Sequence, residues 1–335
     1  MSPLTNPVVI TSIFPPGEAV RRFAALTGWR LVVVGDKRSP AGWTHPGVEF
    51  LSVSRQRRLA FKTAGALPWN HYARKMLGYL WAAKEGADLI GESDDDNLPA
   101  PGWAFPDFEG RFQEVPADRG FINIYSLFTD QAIWPRGLPL SCIRSPEAVV
   151  AAEELATVRC RIGVWQALVD GDPDVDAIYR LTANTPCRFA RRPPVVLGTG
   201  TLSPFNSQNT AFSRKMLPLM YLPAYVNFRV TDILRSYVAQ PIMWSAGYRL
   251  GFSEPSVLQA RNAHDLMADF RSELPIYLEA EEMMACILEA VRDGDSLSDN
   301  LYGVYRGLGK IHAVKDDELR LVDAWLEDVD GLSRG

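Results

Sequence analysis

At 335 residues the chain exceeds a minimal domain, so one large domain with an appendage, or two domains, is expected. Hydrophobic residues make up 47% and charged residues 22%, the balance of an ordinary soluble globular protein with a sizeable core. The net charge of −5 argues against a general nucleic-acid coat but is compatible with an acidic small molecule held in a local basic pocket.

The four cysteines, Cys142, Cys160, Cys187 and Cys286, lack C-x-x-C spacing and read as reduced thiols rather than a disulfide frame or a zinc site. The first residues, MSPLTNPVVITSIF, show no basic region followed by a long apolar stretch. No apolar run reaches the roughly eighteen residues that span a bilayer. The expectation is therefore a cytoplasmic chain without a membrane anchor.

In chain order, residues 8–14 (VVITSIF) read as a buried strand, stopped by Pro15-Pro16. Residues 17–26 have helical spacing, and 29–34 form a second buried strand ending at Gly35-Asp36-Lys37. A long helix is predicted over 72–84, where Met76, Leu77, Leu80 and Trp81 make an apolar stripe. The strand at 88–90 then leads into Asp94-Asp95-Asp96. This β-α-β-α-β order implies an α/β fold, a Rossmann-like, doubly wound parallel sheet with ligands beyond the carboxyl ends of its strands. Both Gly35-Asp36-Lys37 and the aspartate triplet stand at such ends, which brings them to one crevice. Residues 102–255, rich in Pro, Gly, Trp and Asn, read as short strands and binding loops. Helical patterns return at 262–291 and 314–326, so the expected division is an α/β domain over 1–255 and a helical subdomain over 256–335.

Adjacent ionised carboxylates repel, so the triplet calls for a cation, protons or open water. Residues one and three of an extended segment point the same way, and Asp94 and Asp96 can share Mg²⁺ or Mn²⁺. Such an ion keeps water and phosphate oxygens in its shell; the alternative is a solvated turn or helix cap. Arg74 and Lys75 open the long helix, where a diphosphate would meet both side chains and the N-terminal amides, the alternative being solvated charges. Asp36 suits a base or ribose hydroxyl, or a turn. Thr11, Lys37 and Asp95 complete the candidate diphosphate and nucleotide contacts near these strand ends.

The chain resembles the STELLO-type glycosyltransferases and, more distantly, the reversibly glycosylated polypeptides that act as UDP-arabinopyranose mutases. The matching stretches are VVITSIFPP, LVVVGDKRSP, the Arg74-Lys75 helix with Gly78-Tyr79-Leu80, ESDDDN, IWPRGLPL, GDPDVDAIYRLT, PFNSQNTAF and FRVTDILRSYVAQ, in one order from about residue 8 to 260. The resemblance implies a GT-A fold whose DxD-type motif holds a divalent cation on a UDP-sugar diphosphate. It also implies a UDP-sugar donor and an acceptor, the acceptor being a glycan, a natural product or a modified nucleobase. A homo-oligomer is left open.

The later motifs add candidates. Arg136 sits between Pro135 and Gly137; in the mutase-like relatives the matching arginine carries the sugar covalently. A protonated guanidinium is a poor nucleophile, which favours phosphate or carboxylate pairing, with a structural ion pair as the alternative. Asp174 and Asp176 alternate onto one face and suit sugar hydroxyls or base chemistry, or simply a turn. Asn206, Gln208 and Asn209 offer neutral donors and acceptors for hydroxyls, or a self-bonded loop. Arg229, Asp232 and Arg235 lie three apart on a predicted helix, where they either form a mutual ion-pair ladder or leave Asp232 as the base, the place that an acidic residue at a helix start takes in the GT-A pattern. Trp134 and Trp244 are candidate stacking platforms. The leading expectation is a metal-dependent glycosyltransferase; the alternatives are a UDP-sugar mutase dependent on Arg136 and a non-enzymatic scaffold.

Overall fold

The computed structural model describes residues 6–259 and 265–333; Asn262, where the first C-terminal helical pattern begins, and His264 lie outside them. The first third holds β1 (Asn6–Thr11), α1 (Glu18–Ala24), β2 (Trp29–Val34), β3 (Glu49–Leu51), α2 (Val53–Gln56) and α3 (Lys62–Ala66). It continues with α4 (Lys75–Lys84), β4 (Leu89–Ser93) and β5 (Asn97–Pro99). The middle contains β6 (Glu109–Val115), β7 (Gly120–Phe121), β8 (Ala156–Asp170), α5 (Ala177–Thr182) and β9 (Val195–Leu197). After β10 (Thr201–Leu202), β11 (Asn209–Ser213), α6 (Thr231–Ser245) and β12 (Tyr248–Gln259) come the helices α7 (Leu266–Ala290), α8 (Leu297–Lys310) and α9 (Asp316–Ser333).

Strands β3, β2, β1 and β4 lie side by side and parallel, with Val8 opposite Leu31 and Gly91. Their unbroken apolar runs follow from burial on both faces. Val9, Val32 and Val34 face α4, whereas Val8, Ile10, Leu31 and Val33 face Val20 and Phe23 of α1. Strand alternation thus feeds two cores at once, the doubly wound arrangement.

Beyond β4 the sheet becomes mixed. β11 runs antiparallel to β4, Asn209 opposite Ser93, and β8 antiparallel to β11. β8, β6, β9 and β12 then pair in a closed circuit, with β5 added to β12. The middle region therefore contains a strand of 15 residues, longer than its loop-rich composition suggests. The exposed first half of β8 pairs with β6, while residues 162–169 are buried on both faces. A further helix, α8, lies between the two expected C-terminal helices; Ser296 caps it by accepting from the Asp299 amide. Helices α7 to α9 share one apolar cluster with α4 and α6, through Ile287, Tyr305 and Trp325 among others.

Candidate active site

Two adjoining pockets of about 240 and 280 Å³ open at the carboxyl ends of β1, β2 and β4. They share Thr11, Tyr72, Asp95 and Phe228, so they form one crevice. The first is lined by Asp94, Asp95, Asp96, Arg136, Asp174, Arg229 and Asp232, with Ser207, Gln208 and Gln259. The second is lined by Gly35, Asp36, Arg38, Asn70, His71 and Arg74.

The triplet forms the turn from β4 to β5, closed by the Asn97 amide on the Asp94 carbonyl. Each aspartate has a separate partner. Asp94 Oδ1 accepts from Lys75 Nζ at 2.8 Å, Asp95 Oδ2 from Ser12 Oγ at 2.5 Å, and Asp96 Oδ2 from Gln259 Nε2 at 3.1 Å. Burial, augmented by Asp96 and opposed by Lys75, raises the Asp94 carboxyl to about 6. Asp95 is raised as well, chiefly by burial. Hard carboxylate oxygens of this kind suit Mg²⁺ or Mn²⁺. Among the described residues no group of three or more His, Cys, Asp or Glu side chains stands ready to hold a metal. The donor set therefore fits a cation whose shell is completed by phosphate and water, not one caged by protein alone.

Facing the triplet is a buried ion-pair cluster. The turn Pro135-Arg136-Gly137-Leu138 closes by the Leu138 amide on the Pro135 carbonyl, and Gly137 takes a φ of 92° that favours glycine. Arg136 points inward. Its Nε and Nη2 donate to the two Asp174 oxygens at 2.9 and 2.7 Å, and Nη2 also reaches both Asp232 oxygens at 3.0 Å. Nη1 donates to the Arg229 carbonyl. Burial alone would lower this guanidinium, but Asp174 and Asp232 outweigh it and hold the group well above its ordinary range. Asp232 stands in the first turn of α6, where the helix dipole favours negative charge, and Ser207 donates its amide to Asp232 Oδ2 at 3.3 Å. The ladder of Arg229, Asp232 and Arg235 does not form. Arg229 precedes α6, off the expected helix, and pairs with Glu273 of α7, whereas Arg235 within α6 pairs with the fully buried Glu92 at 2.7 Å.

Other sequence candidates take supporting places. Lys75 is fully buried and also bonds the Ser93 and Ser207 carbonyls, so it braces the triplet from behind. Arg74 is turned toward Gln56 and the Leu67 carbonyl and stacks on Trp69 at 3.6 Å. Its Nη2 is buried without a hydrogen-bond partner, and the side chain lines the second pocket. Asp36 also lines that pocket while accepting from the Lys37 and His71 amides; Lys37 itself is exposed over Trp69. Burial lowers the His71 imidazole to about 4, which keeps the ring neutral near pH 7.

Gln208 lines the first pocket with a buried, unpartnered Oε1 and a bond to Gln259. Asn206 and Asn209 bond within the protein, to Gln166 and the Gln208 amide and to Trp103, Leu168 and Ser256 respectively, and line neither pocket. Asp176 is the cap of α5. It and Trp134, which donates to it, lie outside the lining, as does Trp244. Tyr72, Phe228, Gln259 and Ser12 entered no sequence reading of the site. Gln259 ends a strand 163 residues from Asp96, and no local pattern announces that pairing.

A part-parallel α/β sheet followed by C-terminal helices is a Rossmann-like arrangement, consistent with a glycosyltransferase fold. The comparisons with known proteins agree. The family profile described as STELLO glycosyltransferases matches residues 229–334. The chain is 24% identical over 343 residues to the probable glycosyltransferase STELLO1 of Arabidopsis thaliana, covering 96% of this chain and 44% of that protein. It is 27% identical over 271 residues to the probable glycosyltransferase STELLO2 of the same plant, covering 75% of this chain and 35% of that protein. The chain is similar to the STELLO-type glycosyltransferases, and it spans less than half the length of either of these two proteins. Among the described residues no helix is long and apolar enough to cross a membrane.

Proposed function

We propose that the chain is a glycosyltransferase that moves a sugar from a UDP-sugar to an acceptor hydroxyl with the help of Mn²⁺ or Mg²⁺. The observation that carries this reading is one cleft in which five aspartates face two arginines, an acidic excess suited to a divalent cation. In this reading Asp94 and Asp96 hold the cation against the donor diphosphate, and the second pocket, with Thr11, Asp36, His71 and Arg74, receives the nucleoside. When bound, the cation offsets charge on the departing nucleotide. Asp232 takes the acceptor hydroxyl proton as the oxygen bonds to the anomeric carbon and the bond to UDP breaks. Arg136 and Asp174 fix the direction of the Asp232 carboxylate, and Gln208 Oε1 accepts from a sugar hydroxyl.

The mutase alternative asks Arg136 to attack the sugar. A guanidinium occupied at Nε, Nη1 and Nη2, and held protonated by two carboxylates, is poorly disposed to that.

Calorimetric titration with UDP, GDP and ADP, with and without Mn²⁺, tests the reading. UDP should bind with cation dependence, and Asp94→Ala with Asp96→Ala should weaken that binding at least tenfold in a folded protein. Unchanged Mn²⁺-dependent UDP affinity in the double variant would sink the cation assignment; no nucleotide binding at all would sink the transferase.

A further inference from the structure

Helix α7 has two apolar faces. One, with Ile276, Ala280, Met283, Met284 and Ile287, is buried in the main cluster. The other faces solvent: Met267 is 48% exposed, Leu274 36%, Leu278 76% and Leu288 49%. Together with Arg271, Glu281 and Ala285, all exposed, these residues follow one another at alternating steps of four and three. That spacing is the seam of a helix pair, and a helix apolar on two sides has a second partner to find. Leu140, 41% exposed, lies alongside, because Ser141 Oγ donates to Glu281 at 2.8 Å.

We propose that this face joins two copies of the chain, α7 antiparallel to α7 about a two-fold axis at Leu278. Three features select that occupant. The helix runs Leu266–Ala290, so Leu278, its most exposed apolar residue, is also its midpoint, as a self-complementary contact requires. Antiparallel pairing about that point sets Met267 against Leu288 of the second copy. It also sets Arg271, the seam's cation, beside Ala285 and within a turn of Glu281 and Glu282 of the second copy, twice by symmetry. A parallel pair would instead oppose arginine to arginine and glutamate to glutamate. The proposal is independent of the catalytic reading.

Sedimentation velocity over a micromolar concentration series tests it. The wild type should associate to twice its mass, and Leu278→Glu should weaken association at least tenfold with unchanged circular dichroism. Leu278→Cys should give an oxidised disulfide dimer because the residue lies on the axis. Met267→Cys alone should give none, and should give one when combined with Leu288→Cys. Arg271→Glu should weaken the dimer, and adding Glu281→Arg and Glu282→Arg should restore it. A wild type that stays monomeric throughout, or a dimer indifferent to Leu278→Glu, overturns the proposal; in the first case a basic amphipathic helix from another protein becomes the occupant to seek.

Discussion

Asp174 and Asp176 show how two residues of one motif part company in the folded chain. Asp174 takes a two-point bond from Arg136 and lines the cleft, whereas Asp176 turns away to cap α5. Asp176 Oδ1 accepts from the Tyr179 amide at 2.8 Å and Oδ2 from the Trp134 indole at 2.7 Å. Burial nevertheless raises this carboxyl to about 6, well above its ordinary 3.8, the two hydrogen bonds only moderating the rise. Between those values the folded chain holds a proton that the unfolded chain has released. The contribution of Asp176 to stability is therefore full below about pH 4 and is lost as pH rises through about 6. Asp94, also near 6, acts in the same sense. Asp176→Asn should accordingly reduce, without abolishing, the gain in unfolding free energy seen between pH 7 and 5. Asp176→Ala should cost about 1–2 kcal/mol through the lost cap. Urea titrations across that pH range read both, and an unaltered pH slope in the Asn variant would remove Asp176 as its source.

At the scale of elements, the helix α4 lies so close to β1 that a side chain at Gly78 has no room. A Cβ there would stand 2.3 Å from Val9 Cγ1 and 3.0 Å from Val34 Cγ2. Gly78→Ala gains about 1 kcal/mol of helix propensity but overpacks the interface by about 1–3 kcal/mol, so a net loss of up to about 2 kcal/mol is expected in chemical denaturation. Gly65→Ala in α3, where a Cβ meets nothing within 4 Å, is the control and should be neutral or stabilising. A stabilised Gly78→Ala would refute close packing as the reason for a mid-helix glycine. The same contrast explains what was legible in the sequence. Local pattern located β1, β2, α1 and α4, because their apolar runs and helical spacing lie within each segment itself, whereas α6, a helix expected only around Asp232, fell in a region otherwise read as short strands and loops. The long strands β8 and β12 were hidden, since their burial comes from partners far away in the chain. Helix α8 was legible in principle, with Leu301, Val304, Tyr305 and Leu308 on one face behind the Ser296 cap. Within the site, the strand-end position of the triplet pointed to the cleft. That Arg136 would gather Asp174 and Asp232, 38 and 96 residues on, only folding reveals.

Across the whole molecule, the C-terminal helices are bound to the sheet and its cleft-lining segments through polar as well as apolar contacts. Glu273 of α7 pairs with Arg229 at 2.7 Å and accepts from the Ala177 amide, so this tail residue supports the layer directly behind Asp174. Glu318 of α9 is buried and accepts from the Ala224 and Tyr225 amides, and Asp328 accepts from the Lys62 and Thr63 amides at the start of α3. Cutting the chain after residue 255 would take from Arg229 the nearer of its two carboxylates, leaving Asp174 at 3.9 Å, strip three chain segments of their acceptors and expose the faces that Tyr305, Leu321 and Trp325 cover. Losing one partner of a buried ion pair costs about 3–5 kcal/mol by itself, comparable with much of the stability of a domain. Residues 1–255 and 256–335 should therefore unfold in a single calorimetric transition. A ligand bound at the strand ends should raise that whole transition, by about 2.7 kcal/mol at a hundredfold excess over Kd. Two resolved transitions, or a fragment ending at residue 255 that folds and binds UDP with Mn²⁺, would show instead that the tail is a separable module.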